Sequence, residues 1–176
     1  MRRLLLLLTL SVAMALSAGC DDPKPPEAPA FVLPSDGADP CDLNAERPKL
    51  VLVLFWLHTC PYCQAEIEQI HALADAIDPA RVSIFAIHVE GGAAAAVEAA
   101  PMMAHPNVRI CWDDLTVSSL YAKLDAPWKL EYIPHMMWVD ADGTARRPHT
   151  GVTSSGTLLS DMQKLLAETS EVETGL

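Results

Sequence analysis

The stretch "KLVLVLFWL", residues 49 to 57, is apolar after its first residue and shows no polar alternation. An unbroken run of this length predicts a strand covered on both faces. From Pro61 the period becomes helical, with Ile67, Ile70, Ala74 and Ile77 on one face, Glu66, Glu68, Gln69 and Asp75 elsewhere, and Pro79 as the stop. "RVSIFAIHV", 81 to 89, predicts a second buried strand, so the three elements predict a right-handed βαβ unit.

Further along, residues 91 to 106 predict a short alanine-rich helix closed by prolines, "NVRICWDD" a short strand, and "TVSSLYAKL" a short helix from Thr116 or Ser118. "HMMWVD", 135 to 140, reads as a strand, "DADG" as a tight hairpin turn and "TARRPHTG" as the pairing strand. Residues 154 to 168 predict a closing amphipathic helix with Leu158, Leu159, Met162, Leu165 and Leu166 inward. The expected class is α/β, a central mixed sheet flanked by helices. Residues 21 to 40 hold six prolines and neither period, which predicts an extended, semi-rigid tether. The folded domain is expected over 41–170, with 171–176 as a frayed tail.

Composition bears mainly on the N-terminus. Residues 1–20 carry two arginines, an apolar stretch to about Leu16 and small residues ending at Cys20, the order of a secretory signal peptide. The apolar content of 51% is inflated by this stretch and by alanines, so it predicts an ordinary core and not a multi-span membrane protein. What remains is one domain's worth of chain. The formal charge is −11, and −13 without residues 1–20, which argues against nucleic acid as a partner because phosphate binding needs clustered Lys and Arg. Ser17, Ala18, Gly19 and Cys20 resemble a bacterial lipobox, although Ser17 departs from the usual leucine. That resemblance implies a lipid on Cys20 and a membrane-anchored domain on the periplasmic side. Plain secretion, or an uncleaved anchor, also places the domain outside the cytoplasm.

If Cys20 carries lipid, Cys41, Cys60, Cys63 and Cys111 remain, which can pair in three ways. In an oxidising compartment the simplest arrangement is a local 60/63 pair and a long-range 41/111 disulfide; two buried free thiols at 41 and 111 are the alternative. Cys60 stands where a buried strand gives way to a helix, so free backbone N–H groups and the helix dipole favour its thiolate. Pro61 suits the first helical position. Cys63, one turn on, is placed to resolve a mixed disulfide. A zinc site would need two further ligands, and there is no second CxxC. A purely structural local disulfide would close too small a loop to stabilise much.

With "LFWLHTCPYC" ending the first strand and "YIPHMMWVDADGTARRPHTG" ahead of the last helix, the chain resembles the thioredoxin superfamily, specifically its membrane-tethered TlpA/ResA-like branch, over roughly residues 48 to 168. The resemblance implies a thioredoxin fold with an insertion, around residues 91 to 115, between the second strand and a cis proline at Pro134. It implies that Cys60 is the nucleophile and Cys63 the resolving thiol, with Ile133, Pro134, His135, Trp56, Pro61 and Tyr62 along a substrate groove. Three departures stand out: Leu54 replaces a buried Asp that assists the second cysteine, His135 replaces a common Thr, and the intervening dipeptide is Pro-Tyr. If His135 faces Cys60, it would stabilise the thiolate and make the couple more oxidising.

The expected function is an extracytoplasmic thiol-disulfide oxidoreductase acting on exported protein thiols and disulfides, in the reductive direction, with a membrane redox donor, as a monomer and without cofactor or metal. The alternatives are a DsbA-like oxidant, or a Cu(I)-binding or non-catalytic lipoprotein on the same fold. Copper enters through the histidines at 58, 88, 105, 135 and 149 and the Met pairs 102/103 and 136/137.

Overall fold

The computed structural model describes residues 23–90 and 92–174. The signal-peptide and Cys20 expectations lie outside the described residues. The chain runs β1 (Val32–Leu33), β2 (Cys41–Asp42), β3 (Leu50–Trp56), α1 (Pro61–Ala76), β4 (Val82–His88), α2 (Ala93–Met103), β5 (Val108–Trp112), α3 (Thr116–Tyr121), β6 (His135–Val139), β7 (Ala145–Thr150) and α4 (Ser155–Thr174). Five strands form one mixed sheet in the order β5-β4-β3-β6-β7. β3, β4 and β5 are parallel, whereas β6 is antiparallel to β3 and β7 to β6. This is the expected α/β fold.

The apolar run of β3 is explained by its place at the centre of the sheet, where all seven residues are buried. Leu50, Leu52, Leu54 and Trp56 pack with Ile67, Ile70 and Leu73 of α1 and Leu158, Met162 and Leu165 of α4. Val51, Val53 and Phe55 face the other layer, made by Phe31, Leu33, Cys41, Cys111, Tyr121 and Trp128.

That second layer corrects the tether expectation. Ala28, Phe31 and Leu33 are buried, Phe31 against Phe85 and Tyr121, and β1 pairs with β2. The prolines remove helical and ladder hydrogen bonds, but the apolar side chains between them still cover the sheet. The folded unit therefore extends N-terminal of Cys41. Cys41 and Cys111 form a disulfide across 70 positions of sequence, fastening β2 to β5. Beside it, burial opposes the charge of Glu46, but hydrogen bonds from Ser83 and Lys49 and the charges of Lys49 and Arg109 hold its carboxyl below the ordinary range.

The "DADG" turn forms because Asp140 Oδ1 accepts the N–H groups of Asp142 and Thr144 at 3.1 and 2.9 Å. Gly143, at φ 87°, packs so closely on the Arg47 guanidinium that a Cβ would collide with it. At the C-terminus, α4 continues to Thr174, past the expected end at 168 and into the segment expected to fray.

Replacing both Cys41 and Cys111 by Ala lowers the unfolding free energy by about 4 kcal/mol on the chain-entropy estimate for such a loop. Urea denaturation measures this, and an unchanged midpoint would show that packing of the N-terminal segment suffices.

Candidate active site

β3 delivers the chain to a four-residue turn, Leu57 to Cys60, closed by a 3.1 Å bond from the Cys60 N–H to the Leu57 carbonyl. Cys60 is extended, at φ −83° and ψ 118°, and α1 begins at Pro61. Pro61 has no N–H, and at the first helical position none is needed. Cys60 is thus half-buried at the N-terminus of a 16-residue helix, where unpaired N–H groups and the helix dipole favour an anionic sulfur. Its Sγ lies 3.8 Å from the carbonyl oxygen of Ile133, which brings the segment before Pro134 against the thiol. The Ile133–Pro134 peptide is cis. Tyr62 and Tyr132 are largely exposed, while Trp56 is fully buried at the end of β3.

Both Cys60 and Cys63 are free thiols. Cys63, one turn into the helix, is wholly buried. Burial pushes its thiol up to about 12, with Cys60 and the Glu66 charge acting in the same direction and a backbone hydrogen bond at Leu57 opposing them. The two cysteines therefore differ by depth: one can ionise toward solvent, and the other needs a base.

Glu66 is placed to be that base. Expected on the polar side of α1, it is buried, its Oε2 accepting the Thr153 N–H at 2.7 Å while Oε1 has no hydrogen-bond partner. Burial raises its carboxyl to about 7, against the Thr153 bond. Near neutrality it can hold or accept a proton beside Cys63, a task for which Leu54, apolar and in the same cluster, has no group. The signal in the sequence was the spacing of Cys63, Glu66, Ile67 and Ile70, which puts all four on one stripe.

His135 is placed differently from the groove position expected of it. It is fully buried, Nδ1 lying 2.8 Å from Thr150 Oγ1 and Nε2 3.3 Å from the Trp128 carbonyl. The carbonyl accepts, so Nε2 donates and Nδ1 takes the Thr150 hydroxyl; the neutral ring uses both nitrogens away from Cys60. Burial, then the charge of His149, lowers its pKa, and the Trp128 bond opposes this. Of the residues that raised copper, only His58 and His88 meet, at 2.9 Å, while Met136 and Met137 are core, His105 pairs with Asp75 and His149 with Asp161. Among the described residues no group of three or more His, Cys, Asp or Glu is arranged to hold a metal ion.

A mixed sheet with a CxxC pair where its central strand meets a helix defines a thioredoxin-like protein. The profile of the AhpC/TSA family matches residues 26–147, and the chain belongs to that family. The match begins within the segment that had been expected to be a tether. No curated protein matches the chain. Solved structures with a similar fold include a secreted Mycobacterium tuberculosis disulfide oxidoreductase homologous to E. coli DsbE, 21% identical, with a TM-score of 0.58 over 77% of this chain and 96% of that one. The thioredoxin domain of a Bacteroides vulgatus thiol-disulfide oxidoreductase is 20% identical, with a TM-score of 0.61 over 77% and 94%. StoA from Bacillus subtilis is 16% identical, with a TM-score of 0.56 over 76% and 96%.

Two outcomes follow from these environments. Burial lifts the Glu66 carboxyl from its ordinary 4.5 to about 7 in the folded chain, so the native state holds an extra proton between these values and this residue's contribution to stability falls as pH rises through that window. Relative to wild type, Glu66→Gln gains on the order of 3 kcal/mol between pH 5 and pH 8 in urea titrations; a difference constant with pH would place the carboxyl in water. His135→Thr lowers stability by about 1–3 kcal/mol through lost buried hydrogen bonds. The thiolate absorbance titration of Cys60 stays unchanged in that variant, and a displaced titration would return His135 to the site.

Proposed function

We propose that this protein is an extracytoplasmic thiol-disulfide oxidoreductase that reduces disulfides of exported proteins through Cys60 and Cys63. The observation that carries the reading is the difference between the two thiols: Cys60 half-exposed at a helix N-terminus, Cys63 buried beside Glu66. The Cys60 thiolate attacks a substrate disulfide, forming one S–S bond and releasing one substrate thiolate. Glu66 then takes the Cys63 proton, Cys63 attacks Cys60 Sγ, and the second substrate thiolate leaves as the Cys60–Cys63 disulfide forms. A base for Cys63 serves the resolving step of this direction, at which the buried thiol must ionise. A donor at the membrane would restore the dithiol. The exposed Tyr62 and Tyr132, with Ile133 against Cys60, supply an apolar rim for a polypeptide substrate.

Export and anchoring through lipid on Cys20 are part of the same reading. The Cys41–Cys111 disulfide suits an oxidising compartment. Residues 26–28 bond to Gly143 and Ala145, beside the β6–β7 turn and at the end of the sheet where β3 begins. Cys60 follows the other end of β3, about 20 Å away for a strand of seven residues. A chain tethered at its N-terminus would thus present Cys60 away from the membrane. Among the described residues no helix is long and apolar enough to cross a membrane.

Cys63→Ala traps exported proteins as mixed disulfides that dithiothreitol releases, and Cys60→Ala traps none. Equal trapping by both variants would overturn the roles of the thiols. The reduction potential of the couple, expected near about −270 mV or below, tests direction, and a value toward about −120 mV would make the protein an oxidant.

A further inference from the structure

His58 stands in the turn that presents Cys60, its ring set between His88 and the Glu98 carboxylate. Its Nδ1 lies 2.9 Å from His88 Nε2, the two rings stacked at 5.1 Å, and its backbone N–H points at the same nitrogen from 3.4 Å. His88 is fully buried against Trp56 and Trp112, and its Nδ1 lies 2.6 Å from the Glu90 carbonyl oxygen. A carbonyl only accepts, so His88 Nδ1 donates and its Nε2 offers a lone pair. That lone pair receives the Nδ1–H of His58.

On its far side, His58 Nε2 lies 3.3 Å from the Glu98 carboxylate of α2. A neutral His58, already protonated at Nδ1, would turn a lone pair toward that anion; an imidazolium donates at both ends. His88 is unsuited to a second proton because its Nε2 meets donors. Burial, joined by the charge of His58 and opposed by Glu90, also lowers its pKa.

We propose that His58 is a positioning residue of the thiol chemistry: it holds a proton between His88 and Glu98, and the resulting imidazolium, in the same four-residue turn as Cys60, stabilises the Cys60 thiolate. The inference rests on Cys60 being the reacting thiol. When Cys60 ionises, its proton goes to solvent and the imidazolium keeps its own. The groups around His58 are His88 with Glu90 behind it, Glu98 from α2, Cys60 on its own turn, and the neutral Gln64 of α1, whose amide donates to the His58 carbonyl at 2.7 Å. Asp113, whose N–H bonds the His88 carbonyl, commits its carboxylate to the N–H groups of Val117 and Ser118.

The test is the alkylation rate of Cys60 by iodoacetamide from pH 5 to 9 in the full chain carrying Cys63→Ala, alone or with His58→Asn or Glu98→Gln. His58→Asn lowers the rate at pH 7 about three- to tenfold, the size of a charge pair across one turn at a partly exposed site. The two rates converge at the alkaline end of the range. Glu98→Gln gives a smaller drop of the same sign. A structural defect would change the rate across the whole range. In the unsubstituted chain, nitrogen NMR of the imidazoles finds His88 in its Nδ1–H form throughout and the added proton on His58. An unchanged rate in His58→Asn, or His88 as the ring gaining the proton, overturns the proposal. A Cys60 that alkylates with this pH dependence yet exchanges with no protein disulfide overturns the proposed function and leaves the role of His58 standing.

Discussion

Burial of β3 on both faces is the constraint on which the rest of the structure depends. A strand with no polar side chain needs a cover on each side, and the chain supplies two of different kinds. Helices α1 and α4 close one face through long amphipathic stripes. The other is closed piecemeal, by an N-terminal segment without helical period, a disulfide, α3 and Trp128. Once β3 is fixed, the turn after Trp56 is fixed too. The backbone N–H groups at the start of α1 then converge on Cys60 as a consequence of packing, with no special residue required to aim them.

Depth then divides the chemistry. Cys63 and Glu66 share one dry stripe, where burial opposes an anion on either and the Glu66 charge further opposes one on Cys63. Two such acids titrate as a pair, and one proton between them is the favourable state near neutrality. That proton is what a resolving thiol must give up. Leu54 belongs to the same cluster, so an acid on β3 or on α1 could reach this space. In this chain the strand contributes the apolar wall and the helix contributes the acid.

Much of this was legible because periodicity reports burial. The runs at 49–57 and 81–89, the α1 stripe and the "DADG" hairpin are local signals, and each formed near its expected place. Non-local decisions were not legible. Phe31 and Leu33 lie among prolines with no period, and only a sheet face awaiting cover makes them core. Glu66 reads as polar until α4 closes over it and Thr153 supplies an N–H. His135 follows Pro134 in sequence, but a side chain's direction in a strand depends on register, and register turns this one toward Trp128 and Thr150. His58 and His88 are 30 positions apart and meet only because β3 and β4 pair in parallel, with Trp56 opposite His88.

That same register keeps the two thiols' proton partners apart. Glu66 is sealed beneath Cys63 by the segment entering α4, whereas His58 leans the other way, toward the end of β4 and α2. Glu66 is buried and, with its carboxyl raised to about 7, can take a proton near neutrality; His58 keeps an edge toward Glu98, itself mostly exposed. A substrate covering Cys60 would exclude water from the exposed partner and leave the buried one as it was. Desolvation strengthens the attraction between an imidazolium and a nearby thiolate. The attacking thiol would thus gain most from its cation when substrate is bound, while resolution draws on a base whose environment binding does not alter.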